Sequence, residues 1–483
     1  MKINHRDFLL LSSGILLASS ARVLAKPQKR VIVAGAGLSG LSAAYEVAKL
    51  GYKVTVIEGR DRVGGRIFTL KEPFIDGQFA ELGGELVGDG YKRMLGYADK
   101  FRVQYEEVPA EFETGGSVTN LQGGIGTTAI LKGNLYPIGA NLEPHPYNLE
   151  GDEAKMLPPS LLVRNLRMMA REIAGNSQKI AELDKISLAE ALRLRGASET
   201  AIKLMNISAN YNSIETVSAG SVLFETQRRM SAGTKANRII GGNFEVPKAI
   251  AQNAKKMGVK FILQAKIKQI SHSPNSVKVS FQNKNGKINT IEADKLVCTI
   301  PFSVLREISF SPSLPEAKMK AINDLTYTQM TKVFLQGSRF EWDRRNIGSS
   351  IWTDTALERI FVNAGIRGDE RGIFTVWTEG EGATVLEKMN DDERQKWTKT
   401  EFEKVLPFMK EAIERTATKS WTNDEFVRGS YAHFTKGQFV ALKPNLKTQV
   451  GVIHFAGEHT AENAPGMEGA LESAERVIRE ITR

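Results

Sequence analysis

The residues with the clearest chemical potential in this chain form a glycine-rich loop near its N-terminus. Gly35, Gly37 and Gly40 follow the spacing G-x-G-x-x-G directly after a short run of β-branched residues. In such a loop the first glycine permits a tight turn, the second lets the backbone approach a pyrophosphate, and the third allows close packing of a helix on a strand. Phosphates bind at the start of that helix because its first N–H groups are unpaired. The spacing therefore predicts a dinucleotide site that also includes Leu38 and Ser39.

The elements around this loop must hold it in place. Residues 30–34 (RVIVA) and 53–57 (KVTVI) are predicted to be buried parallel strands, and a helical stretch between them continues to Leu50. Glu58 ends the second strand, where its carboxylate can accept hydrogen bonds from ribose hydroxyls and repel a 2′-phosphate. Strand, helix, strand and terminal acid together predict a complete βαβ unit, which is more specific than the glycine spacing alone.

Further glycines beside arginines favour FAD over NAD as the dinucleotide. The loop after Glu58 contains Gly59, Arg60, Gly64, Gly65 and Arg66, and a later segment contains Gly83, Gly84 and Glu85. Such segments can supply N–H and guanidinium donors to the phosphates of a longer, more anionic cofactor. We therefore predict an FAD site built from these residues.

Local patterns elsewhere predict the supporting structure. Asn285-Gly286 lies between two alternating runs, which indicates a hairpin turn. Helical periodicity extends over residues 160–195, with Ser187 as a predicted cap. Residues 111–160 are rich in Gly and Pro and are predicted to form an irregular excursion near a substrate entrance.

Length and composition limit the classes of protein that the chain can be. Its 483 residues predict two domains. The net charge of +10 comes from basic residues scattered among acidic ones, so we predict no nucleic-acid partner. A single cysteine, Cys298, excludes an internal disulfide and a Cys-rich metal site, and we predict no metal. No internal stretch approaches the roughly 18 apolar residues of a membrane span. A homodimer is compatible with the sequence.

The N-terminus has the form of an export signal. Lys2 and Arg6 precede an apolar run at residues 8–18, and a small-residue cleavage site follows, so residues 1–25 are predicted to be a signal peptide. The segment around His5 resembles the twin-arginine signal, with His5 in place of the first arginine. That route suits a protein that folds around its cofactor before export. We predict an exported, periplasmic protein; export of the unfolded chain, or a cytoplasmic protein with a non-functional leader, stays open.

Two C-terminal segments complete a family resemblance. Residues 455–460 (FAGEHT) and 466–470 (GMEGA), with the N-terminal motifs, resemble the flavin-containing amine oxidase family of monoamine, polyamine and L-amino-acid oxidases. The resemblance implies an α/β fold, a Rossmann-like FAD-binding domain of the amine oxidase type with an interleaved substrate domain. It implies an FAD-binding domain at 29–90, 236–305 and 420–483, and a substrate-binding domain with helical cover and mixed sheet at 91–235 and 306–419.

The resemblance also assigns further cofactor contacts. It implies that the backbone of Ile267 contacts the adenine and that Glu458 binds the ribityl or phosphate region. It places the backbone N–H of Met467, at the start of a helix, against the flavin atoms where negative charge develops on reduction. The resemblance also implies that three further residues bind the cofactor: Trp421, Gly457 and Gly466.

Lys332 is the sharpest single-residue hypothesis. Strand alternation places Met330, Lys332 and Phe334 on one face, so the lysine either reaches solvent from an edge strand or is buried for a purpose. The family resemblance favours burial and implies that Lys332 holds a water molecule beside flavin N5.

Residues 421–431 resemble the family segment that borders the reactive face of the flavin. Tyr431 matches one wall of the aromatic cage of monoamine oxidases, and Gly466 stands where they carry the opposite tyrosine. The cage is therefore predicted to be half open, with room for a bulkier or branched substrate. Ser430 replaces the cysteine that monoamine oxidases bond to the flavin, so the FAD is predicted to be non-covalent.

The resemblance implies hydride transfer from the amine-bearing carbon to flavin N5. The resulting imine is hydrolysed to an aldehyde or ketone plus ammonia or an amine, and O2 or an electron carrier takes up the electrons, O2 giving H2O2. An L-amino-acid oxidase is the alternative within the family, and its carboxylate-binding cation could be Arg228, Arg229 or Arg428. A flavin desaturase or porphyrinogen-type oxidase, or a non-catalytic flavoprotein, is disfavoured because Lys332 occurs together with the 421–431 segment.

Overall fold

The computed structural model describes most of the 483-residue chain. The described residues are 28–108, 127–136, 140, 142, 144–230, 235–345, 347–348, 350–362 and 370–483. The signal peptide predicted at 1–25 and part of the excursion predicted at 111–160 lie outside them. Within these ranges no helix is both long and apolar enough to cross a membrane.

The elements are numbered here in chain order. The α-helices are α1 (Leu38–Lys49), α2 (Lys92–Phe101), α3 (Gly151–Ala154), α4 (Pro158–Glu172), α5 (Ser177–Asp184), α6 (Leu188–Leu194), α7 (Glu199–Ser208), α8 (Ala219–Met230), α9 (Glu245–Lys256), α10 (Phe302–Leu305), α11 (Glu316–Asp324), α12 (Phe340–Arg344), α13 (Glu381–Glu387), α14 (Asp391–Val405), α15 (Gln438–Leu446) and α16 (Gly466–Thr482). The strands are β1 (Arg30–Ala34), β2 (Lys53–Ile57), β3 (Thr69–Leu70), β4 (Ala80–Glu81), β5 (Val87–Gly88), β6 (Tyr105–Glu107), β7 (Thr127–Leu131), β8 (Asn134–Tyr136), β9 (Ala236–Ile239), β10 (Lys260–Ile262), β11 (Lys266–His272), β12 (Val277–Gln282), β13 (Ile288–Ala293), β14 (Lys295–Cys298), β15 (Ser309–Ser311), β16 (Thr326–Tyr327), β17 (Met330–Ser338), β18 (Ser350–Thr353), β19 (Arg359–Val362), β20 (Arg371–Glu379), β21 (Ile413–Ser420), β22 (Ala432–His433) and β23 (Ile453–Phe455).

A parallel five-stranded sheet carries the glycine-rich loop. Its strand order is β10-β2-β1-β14-β23, and every neighbouring pair is parallel. The strands come from three well-separated parts of the chain. Helices α1, α9 and α16 pack on one face of the sheet through one apolar cluster, and a second apolar cluster covers the other face. The strands are therefore continuous hydrophobic runs. Helix α1 begins where β1 ends, as the βαβ prediction required.

A second, largely antiparallel sheet lies in the other part of the molecule. Its seven strands have the order β21-β17-β20-β19-β18-β7-β8. Strand β17 lies between β21 and β20, and its first eight residues are buried. Lys332 therefore belongs to an interior strand, which removes the alternative that it reaches solvent from an edge.

Helices cover one region of this second part. Helices α4 to α8 share an apolar cluster with Trp352 of β18. Ser187 forms a capping box with Glu190 at the start of α6, as the sequence predicts. Strands β12 and β13 pair as a hairpin, and Gly286 in their turn has φ +79°, which confirms the predicted turn. The α/β fold class is confirmed by the parallel sheet and by the structural comparisons given below.

Candidate active site

One cleft of about 330 Å³ runs past the C-terminal ends of β1 and β2. Most of the predicted site residues line it together: Gly35, Gly37, Leu38, Ser39, Glu58, Gly59, Arg60, Gly64, Gly65, Arg66, Gly84, Ile267, Tyr431, Gly457, Glu458, Gly466 and Met467. The chain thus brings its N-terminal, middle and C-terminal motifs to a single cavity.

The start of α1 forms an anion-binding end of the cleft. Gly37 precedes the helix and no side chain caps it, so the first N–H groups of the helix are free for a ligand. A Cβ added to Gly37 would meet no atom within 4 Å, which leaves open space above this backbone. The Gly64 N–H donates to the Ala36 carbonyl at 2.8 Å, and this bond joins the two glycine loops. These features fit the diphosphate of a dinucleotide.

Glu58 is fixed beside this loop at the end of β2. One carboxylate oxygen accepts from the N–H of Ala36 at 2.6 Å and the other from the N–H of Arg60 at 2.9 Å. Burial raises the pKa of Glu58 above its usual value. The side chain lines the cleft where ribose hydroxyls would approach, which fits the predicted role.

The start of α16 forms the other end of the cleft. This helix also begins without a side-chain cap, after Pro465, and Met467 lies in its first turn. A Cβ added to Gly84 would lie 2.8 Å from the Met467 sulfur, so the two segments are in close contact there. Glu458 accepts from Arg66 Nη1 at 2.9 Å. A helix N-terminus here suits a group that becomes negative on reduction.

Lys332 lies just behind this wall rather than on it. The side chain has no exposed surface, and its Nζ donates to the carbonyls of Glu81 and Gly83 and to Glu85, each at 3.2 Å. The ammonium also lies 4.1 Å from the ring centroid of Trp377. These contacts place Lys332 one backbone segment away from the cleft. Burial also raises the pKa of Glu81 to about 7.

Four predicted cofactor-binding residues also support the wall from behind. A Cβ on Gly40 would lie 2.1 Å from the Gly35 carbonyl, and one on Gly83 would lie 1.7 Å from the Arg66 carbonyl, so both glycines serve close packing. Glu85 pairs with Lys332. The buried Trp421 indole donates to the Leu82 carbonyl at 2.7 Å. None of the four is among the residues that line the cleft. Gly40 has the packing role that the third glycine of the motif predicts. Cofactor contact by Gly83, Glu85 and Trp421 stays a prediction.

The hydroxyl of Tyr431 is held by a charged network that sequence reasoning missed. It donates to Glu379 Oε1 at 2.6 Å, and the Trp377 indole donates to the same oxygen at 3.0 Å. Arg359 Nη2 donates to Glu379 Oε2 at 3.0 Å. Burial and Glu379 raise the pKa of Tyr431 well above its usual value, so the phenol stays neutral. These partners come from β19 and β20, and only strand register brings them to Tyr431.

A second residue that the sequence analysis missed lies close to Gly466. The hydroxyl of buried Tyr91 is 3.4 Å from the position of a Cβ on Gly466, whose φ is +53°. Tyr91 thus lies next to the space that a side chain at residue 466 would enter. The half-open cage predicted from the sequence therefore has an aromatic residue near its open side. A tyrosine before α2 gives no sequence signal for this role.

A smaller cavity of about 150 Å³, here called the basic chamber, shares Tyr431, Glu458 and Gly466 with the cleft. Arg228 and Arg229 line it. Arg428, the third arginine considered as a carboxylate partner, pairs instead with Glu307 and keeps 45% of its side chain exposed. The chamber thus places two of the three candidate cations beside the end of the cleft that Tyr431 lines.

No cluster of three or more His, Cys, Asp or Glu side chains suited to a metal ion occurs among the described residues.

Ser430, at the position considered for a covalent flavin bond, donates its hydroxyl to the Thr328 carbonyl at 3.1 Å. Cys298 is buried in β14 and is not among the residues that line the cleft.

Comparisons with known proteins identify the family of the chain. The sequence pattern of the family described as flavin containing amine oxidoreductase matches residues 38–482. An L-amino-acid oxidase of Bothrops atrox is 26% identical, with 99% of this chain and 92% of that protein covered.

Solved structures show the same fold. A putrescine oxidase bound to putrescine has a TM-score of 0.76 and 21% identity, covering 94% of this chain and 99% of that one. The cyclohexylamine oxidase of Brevibacterium oxydans has a TM-score of 0.73 and 19% identity, covering 95% of this chain and 100% of that one. The family match over residues 38–482 therefore shows that the chain belongs to the family of flavin-containing amine oxidoreductases.

Proposed function

We propose that the protein is an FAD-dependent amine oxidase that binds its FAD non-covalently and uses O2 as electron acceptor. The bound flavin would supply the hydride acceptor. The substrate carbon loses a hydride and its nitrogen a proton, and the imine is hydrolysed to an aldehyde or ketone plus ammonia or an amine. The two electrons reduce O2 to H2O2.

One observation carries this proposal: two uncapped helix N-termini open on the same cleft. The start of α1 suits a diphosphate, and the start of α16 suits the flavin end. Glu58 lies near the first helix start and Tyr431 near the second. An FAD molecule would be held at both ends, by its diphosphate at the first and by its flavin at the second.

The protein's own residues supply orientation and desolvation at the reacting end. Tyr431 presents a neutral ring fixed by Glu379, beside which a neutral amine can lie. Lys332 is held as a buried donor behind Gly83, one step from the cleft. Non-covalent binding is supported by Ser430, which is engaged with Thr328 and offers no thiol.

An L-amino-acid oxidase is the second candidate, and the two arginines of the basic chamber favour it. A substrate carboxylate needs a cation near the reacting end, and Arg229 supplies one. The relative from Bothrops atrox carries that name. A desaturase or a non-catalytic flavoprotein is disfavoured because Lys332 and Tyr431 are both held in place.

Export remains part of the proposal. Residues 1–25 have the form of a signal peptide and resemble a twin-arginine signal with His5 in place of the first arginine. An FAD-loaded protein has to be folded before it crosses a membrane, so we propose a periplasmic enzyme.

The proposal is tested with purified full-length protein. We expect a yellow protein whose absorbance is bleached anaerobically by a subset of amines or amino acids and restored by air with release of H2O2. Precipitation with trichloroacetic acid should leave all of the flavin in solution, where it is identified as FAD. A folded, colourless protein that takes up no added FAD would refute the proposal, and a yellow pellet would refute non-covalent binding.

A further inference from the structure

The basic chamber contains polar atoms that lack partners. His433 is 4% and His459 is 5% exposed, and three of their ring nitrogens have no hydrogen-bond partner among the described residues: His433 Nε2 and both nitrogens of His459. Arg228 Nε is likewise buried without a partner in that part of the chain. Buried polar groups normally find a partner. His433, His459 and Arg228 all line the chamber, so its wall includes polar groups.

The chamber also carries an excess of positive charge. Arg228, Arg229 and Lys443 line it, and Glu225 is the carboxylate between the two arginines, 3.0 Å from Arg228 Nη1 and from Arg229 Nε. The other lining carboxylate, Glu458, is paired with Arg66 outside the chamber.

Arg228, Arg229 and Lys443 together carry three positive charges, and Glu225 offsets one of them, so two positive charges remain in the chamber. Burial lowers the pKa of Lys443 to about 8, so it keeps most of its charge at pH 7. Burial also lowers the pKa of His433 to about 4, so that ring adds no charge.

The three cations lie at two different ends of the basic chamber. Arg229 belongs to the end beside the cleft, near Tyr91, Tyr211 and Tyr431. Burial works against its charge, whereas the Glu225 carboxylate favours it, and the pKa of Arg229 lies above its usual value. The side chain of Arg229 is 33% accessible, and its two terminal nitrogens have no hydrogen-bond partner among the described residues. They are available to an anion next to Tyr431.

Lys443 and Arg228 belong to the other end. The Lys443 ammonium lies 3.4 Å from the ring centroid of Phe224, and the Arg228 guanidinium lies 5.7 Å from the same ring. Arg228 Nη2 also donates to the Ala464 carbonyl. Within the described residues Lys443 has no hydrogen-bonded carboxylate; its neighbour Lys447 pairs with Glu462. This end can hold a second anionic group.

We propose that the basic chamber binds both carboxylates of an acidic α-amino acid, which is the preferred substrate of the amine oxidation proposed above. The reactive form of such a substrate has a neutral amine and two carboxylates, and its charge of minus two balances the excess in the chamber. A cavity of about 150 Å³ holds a molecule about the size of benzene, which suits a short amino acid.

The proposed FAD takes up the two electrons that this oxidation releases. The α-carbon loses a hydride to the flavin and the amine loses one proton, which gives an imino acid. Water replaces the imine nitrogen, so the products are a 2-oxo dicarboxylate and ammonia. The α-carboxylate would bind Arg229, and the side-chain carboxylate would bind Lys443 and Arg228.

Steady-state kinetics of the holoenzyme test this proposal with L-aspartate and L-glutamate against their amides, L-asparagine and L-glutamine. The amides keep the shape and remove one charge. We expect kcat/KM to favour each acid over its amide by about tenfold or more, since loss of the second carboxylate leaves buried cations unpaired. Above pH 8 the KM for L-glutamate should rise and that for L-glutamine should not, because Lys443 loses its proton.

Variants separate the two ends of the chamber. Lys443→Gln and Arg228→Gln should each reduce the acid-to-amide ratio, and Lys443→Gln should also flatten the pH effect on KM. Arg229→Gln should raise KM for acids and amides alike. Arg195→Gln, whose side chain pairs with Glu172 and lines neither cavity, is the matched control and should change neither.

The outcomes distinguish the two proposals. Equal or better turnover of the amides, of L-leucine or of putrescine would overturn the acidic substrate and leave amine oxidation standing. Unchanged acid-to-amide ratios in both far-end variants would also overturn it. If no amine or amino acid bleaches the flavin, the proposed function itself fails.

Discussion

Lys332 is an ammonium group buried in the interior of a sheet. Its charge is stabilised by two carbonyls, by Glu85 and by the face of Trp377. So many partners are needed because an isolated charge is costly in such a place. The sequence located this residue by its apolar neighbours and by family resemblance. It could not show that a backbone segment separates the lysine from the cleft, since that depends on contacts with residues about 250 positions away.

Replacement of Lys332 by methionine should leave FAD bound and slow the reaction of the reduced enzyme with O2. A positioned proton donor typically contributes about 100-fold or more to such a step, and we expect a loss of that order. Stopped-flow mixing with aerated buffer measures it.

Lys318→Met is the matched control. Lys318 is also buried, but its Nζ donates to the carbonyls of Asn445 and Leu446 at the end of α15, and it does not line the cleft. Its removal should lower stability and leave reoxidation unchanged. Equal reoxidation rates for Lys332→Met and the unaltered enzyme would remove Lys332 from the site.

Helix α1 shows how one element serves both packing and binding. Gly37 and Gly40 are three residues apart, yet their surroundings are opposite. A methyl group on Gly37 would point into open space of the cleft, whereas one on Gly40 would lie 2.1 Å from the Gly35 carbonyl. The backbone of Gly37, with φ −71° and ψ 177°, accepts any side chain.

A matched pair of substitutions tests this division. Gly37→Ala should fold with unchanged stability in the absence of FAD and bind FAD at least about tenfold more weakly, because its methyl group occupies the space for the diphosphate. Gly40→Ala should lower the free energy of unfolding by about 1–3 kcal/mol through overpacking. Denaturant titration and fluorescence titration with FAD measure the two effects. Retained tight FAD binding by Gly37→Ala would contradict the placement of the diphosphate.

Elements that depend on local pattern were predictable from the sequence. The strands flanking Gly35, the hairpin at Gly286 and the cap at Ser187 all follow from short-range signals: β-branched runs, turn residues and a capping box. The Glu379–Arg359 pair and Tyr91 were not predictable. Their roles depend on strand register and on a loop that approaches α16, and one sequence carries no record of either. The same holds for the basic chamber, which joins α8 to α15.

At the scale of the whole molecule, the cleft joins parts of the chain that are far apart in sequence. Gly35 and Met467 lie on the same cavity, with Ile267 between them in sequence. A cofactor that touches all three parts acts as a link across the fold, because it binds the folded state and not the separated segments. Its contribution to stability therefore depends on its free concentration.

FAD-stripped protein should become more stable as FAD is added. The free energy of unfolding should increase by about 1.4 kcal/mol for each tenfold rise in free FAD above the Kd, and by about 2.7 kcal/mol at 100 times the Kd. Thermal melts over a series of FAD concentrations measure the shift in apparent Tm. Gly37→Ala should require a higher FAD concentration for the same shift, in proportion to its weaker binding. An apparent Tm that stays constant as FAD increases would show that the three parts of the cleft do not share one bound molecule.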